Sequence, residues 1–181
     1  MQNKTNMADN KKKFNKIYDE YVERIYRFVY IKVSSKETAE DLTSQAFIKS
    51  WQAMERGDNI QNPKAFVYQV ARNLVIDFYR DKAKHSTISE EMLKTVASDD
   101  MGIQEQAQLN ADMDRTMKLL AGLKDEYRDI IIWHYLDDLS VKEIAQILTK
   151  PENNVRVTLH RAMNSLKEES KKLGLGGGLG A

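Results

Sequence analysis

The sequence predicts an all-α protein: two small helical domains joined by a flexible linker, the second containing a helix-turn-helix. Three observations carry this. Apolar residues recur every three or four positions through both halves of the chain, the period of a helix with one buried face. That period fades from Lys84 to about Ile103, where the chain is polar and acidic. Near the C-terminus a short capped segment, a tight TKPE connection and a longer amphipathic segment follow one another. The expected boundaries are a first domain over 10–84, an acidic linker over 85–103, a second domain over 104–173 and a flexible Gly-rich tail over 174–181.

The elements follow in order. Phe14, Ile17, Tyr18, Tyr21, Val22, Ile25, Tyr26 and Val29 predict a long amphipathic helix from Asn10 to Val33. Ser34-Ser35-Lys36-Glu37 reads as a capping box, with Ser34 as cap and Glu37 as its reciprocal partner. The helix it opens places Ala39, Leu42, Ala46, Phe47, Trp51 and Met54 near one face. A loop over Arg56–Asn62 is signalled by Gly, Asp and Asn. Pro63 then starts a third helix with an apolar seam of Phe66, Val70, Leu74 and Phe78. Beyond the linker, Leu109, Met113, Met117, Leu120 and Leu123 suggest one helix, and Ile130, Ile131, Trp133, His134 and Tyr135 a second. Ser140 and Glu143 form another capping box, opening a third. Pro151 breaks the pattern before a last helix carrying Val155, Leu159, Ala162 and Leu166.

Composition narrows the function classes. No Cys is present, which excludes disulfides, thiol catalysis and Cys-ligated zinc and fits a reducing compartment. No apolar run is long enough for a membrane span, and the basic N-terminus lacks the apolar core of a signal peptide, so a cytoplasmic protein is expected. The net charge of +1 conceals an uneven distribution. Residues 1–84 carry 16 basic and 11 acidic side chains, 85–124 carry 4 and 7, and 125–181 carry 8 and 9. A basic first half beside an acidic middle suggests separate tasks, although two ordinary solvated surfaces would look the same. His85, His134 and His160 lie in no metal-ligand pattern, no Gly loop cradles phosphate, and the adjacent pairs Asp99-Asp100 and Asp137-Asp138 cannot face each other on a helix. A binding protein is therefore expected rather than an enzyme, with neither cofactor nor metal.

Three constellations are candidates for binding. In the helix-turn-helix, Val155 and Leu159 face inward and Asn153, Asn154, Arg156, Thr158, His160 and Arg161 form a polar outer row, as a major-groove reader requires. Arg reads guanine edges and Asn reads adenine. An ordinary helical hairpin is the plainer alternative. On the third helix Phe66, Tyr68, Arg72, Asn73, Tyr79, Arg80, Lys82 and Lys84 mix aromatics with cations and amides, the combination that stacks unpaired bases while following phosphates. A core seam and a solvated helix end explain the same residues. On the second helix Asp41, Gln45, Phe47 and Trp51 suit a partner surface or a core face equally well.

The order of segments goes further than any one of them. FNKIYDEYVERIYRFVY, AEDLTSQAFIKSWQAM and PKAFVYQVARNLVIDFYRDK resemble region two of the extracytoplasmic-function sigma factors of bacterial RNA polymerase. LLAGLKDEYRDIIIWHYLDDLSVKEIAQILTKPENNVRVTLHRAMNSLKEE resembles their region four. The likeness spans about residues 14–169. It implies core polymerase and promoter DNA as partners, an anti-sigma factor as regulator, and no membrane insertion. It further implies that Asp41, Leu42, Gln45, Phe47 and Trp51 grip the coiled coil of the largest polymerase subunit and that the second domain meets the polymerase flap. Arg56 and Asn59 would sit in the loop that receives a flipped base, and Lys64, Phe66, Tyr68, Asn73, Asp77 and Arg80 where the minus-ten element is read and melted. Flipping costs a few kcal/mol of unstacking, which a pocket and aromatic stacking can offset. Asn153, Asn154, Arg156, Thr158, His160 and Arg161 would meet the minus-thirty-five element. The acidic linker would thread toward the RNA channel of the polymerase. The chain departs from the family pattern at Thr149, where Gly is common in the turn; at Val157-Thr158, where a Ser-Arg pair is usual; and at Lys124, where Pro is frequent. Two other classes remain open. A stand-alone helix-turn-helix regulator would dimerise and bind duplex without polymerase, and a helical adaptor would show no salt-sensitive DNA binding.

Overall fold

The computed structural model describes residues 2–85 and 105–174, with side chains described over 10–84 and 113–174. The expected linker (bar His85, which ends a helix), the expected tail beyond Gly174 and the side chain of Leu109 lie outside the described residues. The described residues are helical, with no strand among them, and the chain divides into two compact units.

The first unit is a bundle of α1 (Gln2–Val33), α2 (Lys36–Glu55) and α3 (Pro63–His85), each packed on the other two. Helix α1 begins at Gln2 rather than Asn10, because the Lys-, Gln- and Ala-containing segment before the apolar period still favours helix. The cap of α2 also differs from expectation. Ser34 adopts φ +53, the left-handed conformation that ends α1, and Ser35 is the N-cap, its side chain accepting from the Thr38 backbone N–H. With Thr rather than Glu at that third position, no reciprocal box forms. At the other end Gly57 (φ +80) closes α2: its N–H reaches the Met54 carbonyl at 3.2 Å and that of Asp58 the Ala53 carbonyl at 3.1 Å. This paired closure favours glycine. Ile25, Phe28 and Val29 of α1, Ala39, Ala46 and Phe47 of α2, and Val67, Tyr68, Ala71 and Val75 of α3 close the core.

The second unit contains α4 (Glu105–Ala121), α5 (Asp125–Ile131) continuing into a π-helical turn at Ile132–Leu136, α6 (Val141–Leu148) and α7 (Glu152–Lys172). Helix α7 packs against all three other α-helices. The core holds Leu120, Leu123, Ile130, Ile132, Trp133, Leu139, Ile144, Val155 and Ala162. Helices of seven and eight residues are marginal alone, so their ends need partners. Arg128 supplies several: Nε donates to the Leu120 carbonyl at 2.8 Å, and Nη2 to those of Ala121 at 3.0 Å and Leu123 at 3.3 Å. These carbonyls close α4 and the turn after it, where helical partners run out. The π-turn replaces the regular helix expected through Tyr135. It buries Ile132 and Trp133 while leaving Tyr135 and Leu136 exposed. The His134 ring meets the Leu139 carbonyl at 2.9 Å; a carbonyl only accepts, so Nδ1 carries the proton.

Candidate nucleic-acid and partner interfaces

In the first unit the spacing on α3 sorts the candidates into two faces. Phe66, Asn73, Asp77, Arg80 and Lys84 recur at helical spacing on one side; Phe66 is half-buried and the other four are exposed. Tyr68 lies two residues from Phe66 and on the other side, where it is fully buried with its ring 6.4 Å from that of Tyr21. The expectation that Tyr68 contacts DNA is therefore corrected: it is a core residue. The seam is corrected with it. Steps of four residues overshoot each turn by about 40°, so the line Phe66-Val70-Leu74-Phe78 crosses the buried face at Leu74 and leaves its other three members half-buried. The inward line runs through Ala65, Tyr68, Ala71 and Val75.

Lys64 also lies away from that stripe, with Nζ 5.0 Å from the centre of the Tyr21 ring. Desolvation by burial, reinforced by the hydrogen bond to Glu20, pushes the Tyr21 phenol above its ordinary range, so it stays neutral and donates to Glu20 Oε1 at 2.8 Å. In the loop, Arg56 pairs with Asp58 at 3.0 Å and Asn59 is exposed.

Helix α2 divides in the same way. Leu42 and Phe47 are buried, Phe47 with its ring 4.9 Å from Tyr18 and 6.2 Å from Phe14. For these two the core role wins, because they are the large apolar groups on the side that α1 and α3 cover. Asp41 is exposed and accepts from Gln45 Nε2 at 2.8 Å; Trp51 is half-buried, 5.2 Å from Phe14. Ile48, 55% exposed, is a surface apolar residue that the helical pattern does not single out. It belongs to no helical seam, and that mismatch is its one signal in the sequence. Between α2 and α3 lies an open groove of about 660 Å³ that brings Asp41, Gln45 and Lys49 together with Asp77, Arg80 and Lys84.

In the second unit α6, a three-residue turn and α7 form the expected helix-turn-helix. Ser140 caps α6 as a full box: its hydroxyl accepts from the Glu143 N–H at 3.3 Å, while Glu143 Oε2 accepts from the Ser140 N–H at 2.8 Å. Thr149 closes the helix at φ +53, with its N–H toward Gln146 and that of Lys150 toward Ala145. This is the same closure as at Gly57, made by a β-branched residue. Lys150 bonds Glu126 of α5 at 2.5 Å, fastening the turn. Pro151 stands at the N-cap of α7, its carbonyl accepting from Asn154 and Val155. Val155, Ala162 and Leu166 face inward, and Leu159 is half-buried.

On the outer side Asn153, Asn154, Arg156, His160 and Arg161 are exposed. Thr158 is half-buried and donates its hydroxyl to the Asn154 carbonyl at 2.8 Å. Arg156 pairs with Glu152 at 2.9 Å, and His160 faces Asn164 at 3.5 Å. Val157, exposed in the middle of this face, is not among the expected contacts. Among the described residues no helix is long and apolar enough to cross a membrane.

Two helical units, one ending in a helix-turn-helix with a polar outer row, fit the class of two-domain helical DNA-binding proteins. The comparisons sharpen that class. Residues 17–85 match the family model Sigma-70 region 2, and residues 113–166 match Sigma-70, region 4. The chain is 31% identical over 157 residues to the ECF RNA polymerase sigma factor SigM of Bacillus subtilis, covering 84% of this chain and 92% of that protein. It is 28% identical over 169 residues to SigW of the same organism, covering 88% and 90%. In fold it resembles the sigma factor RpoE of Bartonella quintana, solved in complex with the anti-sigma factor NepR, at 20% identity with a TM-score of 0.68, over 88% of this chain and 98% of that one. The chain belongs to the ECF RNA polymerase sigma factors, and its function is promoter-specific initiation of transcription through RNA polymerase.

Proposed function

We propose that the two units divide promoter recognition between them. Phe66, Asn73, Asp77 and Arg80 on the outer side of α3, with Arg56 and Asn59 in the preceding loop, read and open the minus-ten element. Asn153, Asn154, Arg156, His160 and Arg161 read the minus-thirty-five element in the major groove, with Thr158 fixing the backbone beneath Asn154. The exposed part of α2, namely Asp41, Gln45, Ile48 and the edge of Trp51, contacts the coiled coil of the largest polymerase subunit, and the second unit meets the flap. The acidic linker passes toward the RNA channel. An anti-sigma factor holds the protein inactive. The protein works in the cytoplasm by binding and catalyses no reaction of its own.

The observation that carries this reading is the separation on α3 of a polar, aromatic-edged stripe from a closed core. A second feature supports its dependence on polymerase. Arg56, Arg80 and Arg156 each pair with a carboxylate within four residues, and these pairs are exposed. Exposed pairs are worth about 0–1 kcal/mol, so DNA phosphate can replace the carboxylate, yet the local acids weaken the attraction of the isolated protein for duplex. Transcription by purified core polymerase on a randomised promoter library, with and without this chain, tests the proposal. Specific transcripts are expected, and Asn73→Ala/Arg80→Ala should abolish them while leaving binding to core polymerase intact. No transcripts together with no binding to core polymerase would sink it.

A further inference from the structure

The centre of the outer face of α7 is apolar. Val157 is 43% exposed, with Asn153 and Asn154 one turn before it and His160 and Arg161 one turn after. Residues three and four apart are neighbours on a helix, so these four polar side chains ring the valine. Among the described residues nothing in the packing of this unit requires it there. Val155, Ala162 and Leu166 supply the inward face, and a β-branched residue at an exposed helical site lowers helix propensity without gaining burial. The neighbouring Thr158 is half-buried, with its hydroxyl bonded to the Asn154 carbonyl at 2.8 Å, so Val157 is the more open apolar group of the two.

In the major groove the thymine C5-methyl is the apolar feature of the base-pair edges; the other groups displayed there are hydrogen-bond donors and acceptors. An exposed isopropyl group ringed by two amides, an imidazole and a guanidinium matches that feature. We infer that Val157 is a specificity-determining residue that selects thymine in the upstream promoter element by contact with its C5-methyl. This assignment rests on the promoter-recognition reading above and extends it from the helix to one chemical group of one base. The amides of Asn153 and Asn154 then address the flanking base pair.

The test uses polymerase carrying the full chain on the promoter recovered from the randomised library. Each thymine of the upstream element is replaced in turn by deoxyuridine, which removes the methyl and nothing else. One replacement should weaken promoter binding about four-fold, the worth of about one buried methyl group. 5-Methylcytosine at that position should bind better than cytosine. Val157→Ala should treat the thymine and deoxyuridine promoters alike, whereas Val157→Ile should keep the discrimination. Indifference to deoxyuridine at every position, discrimination that survives Val157→Ala, or an upstream element without thymine would overturn the assignment while leaving promoter recognition standing. Absence of specific transcripts from unmodified promoters would remove both.

Discussion

The two units solve the same problem with different means. The first is held by three helices of 20 residues or more, whose seams meet along their length. The second sets two helices of seven and eight residues, where the ends make up most of the element, against the longer α4 and α7. In the first unit stability therefore resides in buried side chains, and polar substitutions on its surface are cheap. In the second it resides equally in the groups that satisfy helix ends: Arg128 behind α4, the Ser140–Glu143 box before α6, and the left-handed Thr149 after it. For the proposed function the consequence is that the α3 stripe can vary without disturbing the bundle, whereas the helix-turn-helix holds its geometry through polar details beside the outer face of α7.

Substitutions can break or sharpen this contrast. Tyr68→Ala should cost about 3–5 kcal/mol, the usual penalty for emptying a buried aromatic site, and the loss should be confined to the first unit. Asn73→Ala on the opposite side should stay within about 0.5 kcal/mol. Hydrogen exchange followed helix by helix would read both, and equal effects would put Tyr68 back among the surface contacts. Next comes Arg128→Ala, which removes three charged hydrogen bonds to carbonyls and should cost the second unit about 2–3 kcal/mol in denaturant unfolding. Arg128→Lys should rescue little, since an ammonium cannot span the same fork. Ser140→Ala should cost about 1 kcal/mol, seen as faster exchange in the first turn of α6. The smallest effect has the opposite sign: Thr149→Gly should stabilise by about 0.5–1 kcal/mol by relieving a left-handed β-branched residue. A lower melting temperature for that variant would mean that the side chain of Thr149 contributes more than its backbone strain costs.

Much of this architecture is legible in the sequence. The helix-turn-helix can be read because its determinants are local: a Ser with a Glu three residues on, a proline-containing turn, and an inward Val-Ala-Leu spacing. On α3 the exposure of Asn73, Asp77 and Arg80 along one side is readable for the same reason, since helical spacing sets it. Tyr68 is misplaced when residue type is weighed above spacing; two positions from Phe66 cannot share its face. The Ser34-Ser35 pair shows a different limit. Either serine has the chemistry of a cap, and only the backbone, at φ +53 for Ser34 and φ −135 for Ser35, distinguishes the stop of one helix from the start of the next.

By itself the sequence determined the all-α class, the order of the helices, the helix-turn-helix and the family, because helical period and capping are set by groups within a few residues of each other. Tertiary structure decided which apolar side chains are covered. Phe47 and Leu42 turn inward while Ile48 stays out, Arg128 closes the helix before its own, and Val157 stands open on the outer face of α7. Burial depends on what neighbouring elements bring against a surface, and a one-dimensional pattern carries the spacing of that surface but not the identity of its cover.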